Sequence, residues 1–164
     1  MNKIKKMIGS YSEFDGFINF DIDSEIMIPN DFKRTTPRAE KMKICSDHYS
    51  ERSIIDRPLV IEPEFGFLID GYVGYLVAKK FGCKNTYGMY CDHKVKHMYV
   101  MGRFNNGTGC YIWEFDTTTQ GFLNSRKGCH AVVDTMYGNQ EIEVVKLLCT
   151  ACEPLKRIKK VISF

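Results

Sequence analysis

The sequence predicts an α+β fold: an α/β module over residues 1–92 followed by a small antiparallel, barrel-like β module over residues 93–164. Three observations lead there. Between residues 20 and 91, short apolar runs alternate with two segments of helical spacing. After Cys91 the helical spacing stops and hairpin patterns take over. The chain has 164 residues, 44% of them hydrophobic and 26% charged, which suits one ordinary domain or two very small ones with a packed core.

The elements follow in order. The opening MNKIKKMIGS is basic and is expected to fray. FINFDIDSEIMIP alternates apolar and polar residues, with Phe20, Ile22, Ile26 and Ile28 as apolar markers, and suggests one or two strands ended by Pro29. TTPRAEKMKICSDHYSER opens with a helix-start signal: Thr36 as cap, Pro37 in the first helical position and Glu40 soon after. Met42, Cys45 and Tyr49 recur at helical spacing, so their stripe is expected to pack inward while the lysines face out. RPLVIEPEFGFLIDG holds two short strands, around 58–62 and 66–69, separated by a turn. A helix is expected over 72–81, closed by Gly82, and NTYGMYC reads as a further strand.

In the second half, KHMYVMGRFNNGTGCYIWEF reads as two strands joined through Asn-Asn-Gly. DTTTQGFLNSRKG is polar and loop-like, and CHAVVDTMYGNQEIEVVKLL reads as a hairpin turning around Tyr137-Gly138-Asn139. The tail ACEPLKRIKKVISF adds a last strand or a short helix.

Charge and composition narrow the function classes. The net charge of +3 permits nucleic-acid contact without requiring it. The basic residues are unevenly placed: Lys33, Arg34, Arg38, Lys41 and Lys43 form one cluster, and Lys156, Arg157, Lys159 and Lys160 another. Such runs are either solvated faces or phosphate contacts. No apolar run reaches membrane-spanning length, and the N-terminus lacks the apolar core of a secretory signal, so a cytoplasmic protein without membrane partners is expected. Seven cysteines without a spacing pattern then read as reduced thiols.

The strand that ends in Asp70-Gly71, with Tyr72, Gly74, Tyr75, Ala78 and Gly82 following, resembles a motif of the ParB/sulfiredoxin-like domain. The Thr-Pro helix start and the Pro-led strand RPLVIE before it fit the same order, and the resemblance covers residues 20 to 91. It implies a corner that handles phosphate. The family's motif arginine falls at Gly74, where no side chain can clamp a phosphate with two hydrogen bonds. Gly74 also lowers helix stability by about 1 kcal/mol relative to Ala. It serves either the close approach of another backbone, or room for a partner beside a helix N-terminus. The resemblance with this departure implies a retained scaffold without phosphate chemistry, hence a binding module with no cofactor rather than an enzyme. The later strands resemble, more loosely, small barrel-like β domains appended to proteins of bacterial phages and mobile elements.

Cys149 and Cys152 supply half a tetrahedral zinc site, which Cys129 and His130 would have to complete; reduced thiols without metal are the expectation. His93 and His97 lack the glutamate of a zinc-protease helix and are expected to be exposed. Cys45, with Asp47 and His48 nearby, has the parts of an activated nucleophile, but its place in the apolar stripe favours a small core residue. Asp21, Asp23 and Glu25 would share one strand face, solvated or facing a hard cation. GRFNNGTG lacks the Lys-Ser/Thr ending of a P-loop and is a hairpin turn. Arg103 and Phe104 beside it suit phosphate contact and base stacking, and of Tyr99, Tyr111, Trp113 and Phe115 nearby about half should be core.

The resulting expectation is a non-catalytic, nucleic-acid-associated binding protein of a mobile element. Lys33, Arg34, Arg38 and Lys41 would meet phosphates, supported by Arg103, Phe104, Lys156 and Arg157. One alternative is a phage-type inhibitor of a host defence nuclease, of the anti-CRISPR kind, with Asp15, Asp21, Asp23 and Glu25 mimicking phosphates. A second is a ParB-like nuclease or ATP-using phosphotransferase centred on Asp70. An exposed sheet edge is compatible with a homodimer.

Overall fold

The computed structural model describes residues 2–164. It contains helices and many antiparallel strands, hence an α+β fold, and by its internal contacts the chain falls into two units: residues 18–94, and residues 1–17 together with 95–164. The N-terminal segment thus belongs with the β-rich half, which corrects the expectation that it opens the α/β module.

In the 18–94 unit, β2 (Ile18–Asp21), β5 (Asn85–Tyr90), β3 (Leu59–Ile61) and β4 (Leu68–Asp70) form a four-stranded sheet in the order β2-β5-β3-β4. The β3–β5 pair is parallel and the others antiparallel. All three residues of β3 are buried, as the uninterrupted apolar run Leu-Val-Ile requires of a central strand. Helices α2 (Asn30–Arg34), α3 (Ala39–Arg52) and α4 (Tyr72–Lys80) complete this unit. Its core gathers Phe20, Ile26, Ile55, Leu59, Ile61 and Leu68, with Phe32, Tyr49, Tyr72 and Tyr75 packed around them. Each such fully buried large side chain contributes about 1.5–3 kcal/mol.

Two local expectations change here. α3 begins at Ala39, two residues past Pro37, and its cap position is Arg38 with no side-chain cap, so Thr36 does not cap it. β2 ends at Asp21, and Asp23 and Glu25 therefore lie in a turn rather than on a strand face. The Asp21 carboxylate accepts hydrogen bonds from the Asp23 and Ser24 amides, both at 3.0 Å, and Glu25 accepts one from the Asp21 amide.

The other unit holds α1 (Lys5–Ile8), β1 (Ser12–Phe14), β6 (His97–Arg103), β7 (Tyr111–Phe115), β8 (His130–Thr135), β9 (Gly138–Thr150) and β10 (Val161–Ser163). The sheet runs β10-β8-β9-β6-β7. The long strand β9 organises it: one edge carries β6, and the other carries β8 up to Glu143 and then β1 from Leu147. The described part of the N-terminal stretch is therefore not frayed, because β1 is a sheet strand and Ile8 of α1 is fully buried against Tyr99, Ile112, Leu148 and Ile158. The turn between β8 and β9 falls at Met136–Tyr137, one residue earlier than expected.

The C-terminus curls this sheet. The Lys159 carbonyl accepts from the Glu114 amide of β7 at 2.9 Å, and the Lys160 carbonyl from the Asp134 amide of β8 at 3.0 Å. One short segment thus ties the two strands together and covers backbone groups that would otherwise form open edges. It also carries Arg157, Ile158 and Lys159 to the side chains of β7 and β8.

Candidate functional site

The motif corner lies at the end of β4. Gly71 adopts φ +91°, and a Cβ there would stand 3.0–3.1 Å from Leu59 and the Pro58 carbonyl. Only glycine fits both the conformation and the space. The Asp70 carboxylate accepts the Gly71 amide at 2.8 Å, so a negative charge occupies the start of α4. Tyr72 faces away from any ligand role: its ring packs on Phe32 at 5.1 Å and on Tyr75 at 6.0 Å, binding α2 to α4. Gly74 is neither tight nor strained. A Cβ would lie 3.4 Å from Ile55 Cδ1 and 3.6 Å from the Arg57 carbonyl, which is ordinary contact, so close backbone approach does not explain it.

Around these residues is a small recess of about 60 Å³, lined by Lys41, Cys45, Asp56, Arg57, Asp70, Gly71, Val73 and Gly74. That is room for about two waters. Two cations and two carboxylates face it, so their formal charges cancel. Sequence reading passed over Arg57 and Asp56. Arg57 brings a guanidinium to the recess from a loop, where no periodicity marks it. Asp56 is a hub, accepting hydrogen bonds from His48 Nδ1 and Arg52 Nη2, both at 2.9 Å.

The Cys45–His48 pairing takes a form the sequence did not suggest. Both side chains address Asp56, while Asp47 turns outward to Lys43 at 2.8 Å. Burial pushes the Cys45 thiol up to about 11, helped by its hydrogen bond to Asp56. A thiol in that state is a poor nucleophile.

Lys33 and Arg34 on α2, Arg38 before α3 and Lys41 in its first turn are all exposed, and none forms an ion pair among the described residues. Lys43 differs, being paired with Asp47. Arg103 also departs from its expected role: it is tied to Glu143 across β6 and β9 at 3.1 Å. Asp23 pairs with Lys79 at 2.9 Å, so three of the four acidic residues considered as phosphate mimics are engaged within their own unit.

A second concavity lies in the β-rich unit. It is a cleft of about 620 Å³ lined by Phe104, Tyr111, Trp113, Met136, Tyr137 and Arg157, with Asp134, Gln140 and Lys159 among its polar residues. Phe104, Tyr111 and Trp113 form a mutual cluster with ring centres 5.8–6.2 Å apart. Trp113 is 5% exposed and donates its indole N–H to the Asp134 carbonyl at 3.1 Å. Tyr111 is 51% exposed, and Lys3 stands 5.8 Å from its ring centre. The structure thus joins Phe104 and Arg157, expected as binding residues, in one site, while Lys156 is exposed on the same segment outside the lining. The aromatic row does not divide evenly as expected: Tyr99, Trp113 and Phe115 are buried, Phe104 is half-buried and only Tyr111 is exposed.

His97, expected to be exposed, is half-buried between Glu114 at 2.8 Å and Glu153 at 3.0 Å. His93 faces the Lys94 carbonyl. Among the described residues no ligand cluster joins Cys149 and Cys152 to Cys129 and His130; His130 lies against Glu141 instead. No helix is long and apolar enough to cross a membrane.

No protein-family model matches the chain, and no curated protein matches it. Among solved structures, it is similar to a Pnob8-like ParB-N domain, with 22% identity and a TM-score of 0.42. The match covers 52% of this chain and 32% of that one, so it spans about a third of that structure's length.

Proposed function

We propose that this protein is a non-catalytic binding protein that associates with nucleic acid through its basic residues, in the setting of a bacterial phage or other mobile element. The observation that carries the reading is the group Lys33, Arg34, Arg38 and Lys41: four exposed cations in one short stretch, none paired with a carboxylate. Neighbouring like charges without partners repel one another, and a phosphate backbone relieves that repulsion while releasing its own counterions. The small 60 Å³ recess at Asp70 supports binding over turnover, since sites for small molecules occupy about 300–1,000 Å³. The phage or mobile-element setting rests on the likeness of the later strands alone.

The test is a titration of labelled duplex with nuclease-treated protein at rising salt. Four phosphate contacts predict a slope of about −3.6 in log K against log salt, or roughly a hundredfold weaker binding between 50 and 200 mM. Absence of binding at low salt, or affinity indifferent to salt, contradicts the reading, and cleavage of the duplex contradicts its non-catalytic part.

A second reading, a phage-type inhibitor of a host defence nuclease, is favoured by one feature. Met136 and Tyr137, 78% and 81% exposed at the β8–β9 tip, are residue types enriched in protein interfaces. Retention of a single host protein after nuclease treatment, with no affinity for free nucleic acid, would favour it.

A further inference from the structure

We infer that the cleft of the β-rich unit takes unpaired nucleotides of a single strand, a base resting on its aromatic wall and a phosphate on Arg157. This rests on the nucleic-acid reading above and adds which form of nucleic acid the second unit holds.

Size and chemistry point the same way. At about 620 Å³ the cleft falls within the range of small-ligand sites. Phe104, Tyr111 and Trp113 give it a continuous aromatic wall, and Tyr137 adds a fourth ring at the rim. Because its N–H is engaged by the Asp134 carbonyl, Trp113 offers the cleft apolar ring surface only. Every base has a π face, so stacking of this kind needs no particular base sequence. Among the described residues the Gln140 side chain has no hydrogen-bond partner, and it presents both donor and acceptor groups to the cleft.

The cleft also favours a negative occupant. Among the described residues Arg157 forms no ion pair, whereas Lys159 lies 3.5 Å from Asp134. The lining therefore carries two cations against one carboxylate, with Lys3 beside Tyr111. An extended peptide adding itself as a strand is disfavoured, because the Glu114 and Asp134 amides are already taken by the Lys159 and Lys160 carbonyls. A duplex keeps its base faces inside its own stack and cannot offer them to this wall.

Trp113 is the single tryptophan of the chain and so reports on the cleft directly. The experiment adds a ten-nucleotide oligothymidine, a duplex of the same length, or thymidine monophosphate to the full chain and follows tryptophan emission alongside anisotropy of the labelled oligonucleotides. The single strand should quench Trp113 saturably. The duplex should bind without quenching, and the mononucleotide should quench at least tenfold more weakly than the strand. R157E and Tyr137→Ala, both at exposed positions that leave the core intact, should each weaken single-strand affinity by about tenfold, in line with the stacking and phosphate terms. The inference is overturned if the single strand binds with unchanged emission, if both variants bind it like the parent, or if an acidic aromatic peptide quenches while the strand does not. In the first two results the duplex still binds with its full salt dependence, which separates failure of this inference from failure of the nucleic-acid reading.

Discussion

Gly71 and Gly74 stand three residues apart and differ in kind. Gly71 is required by its φ of +91° and by Leu59 and Pro58, which stand where a Cβ would need room. Gly71→Ala should lower stability by about 1–3 kcal/mol, the range for a strained left-handed residue. Gly74 is an ordinary helical position with room for a methyl group, so Gly74→Ala should raise stability by about 0.5–1 kcal/mol. Chemical denaturation of both variants checks the pair, and equal destabilisation would show that Gly74 also has a packing role. Cys45 gives a second test at this scale. With its thiol pushed up to about 11, it holds far less thiolate near neutral pH than a free cysteine. Iodoacetamide followed by mass spectrometry should label the exposed Cys110 and Cys152 well before Cys45.

At the scale of elements, the C-terminal strand is a clasp whose strength depends on pH. Burial raises the Glu114 carboxyl, but Lys160 and His97 outweigh it and hold the group below its ordinary value. A depressed carboxylate contributes stability above its unfolded pKa of ~4.3 and loses it as pH falls through the folded value. The β-rich unit should therefore weaken below about pH 4, and Glu114→Gln should flatten that part of a melting-temperature profile. The strands and helices were largely legible in the sequence, because alternation and helical spacing are local signals. RPLVIE, LVAKKFG and the two later hairpins read correctly on that basis. α1 was not legible: a four-residue helix has too few positions to show a period, and it is held by burial of Ile8 against strands far along the chain. The α3 start was misjudged because Thr36-Pro37 carries a cap signal that the observed backbone does not use. The candidate sites show the same division. The Asp70-Gly71-Tyr72 corner could be found from neighbours in sequence. The cleft could not, because Phe104, Tyr137 and Arg157 meet only when the sheet curls and the C-terminal segment crosses it.

At the scale of the whole molecule, a net charge of +3 is small, and its distribution matters more than its size. Many basic residues are neutralised locally: Lys43, Lys79, Arg103, Lys146 and Lys160 each have a carboxylate within 4 Å. Of the other cations, Lys33, Arg34, Arg38 and Lys41 lie on the α2–α3 stretch and Lys156 and Arg157 on the C-terminal segment, while the rest are scattered along the chain. On the proposed reading these two groups are where phosphate would be met, without the broad field of a strongly basic protein. The most direct test of the account is the salt dependence of duplex binding by the parent compared with a variant carrying Ala at positions 33, 34, 38 and 41. The account predicts a shallower slope for the variant, by about 3.6 units in log K against log salt, with an unchanged melting temperature. An identical slope in the two proteins would contradict it.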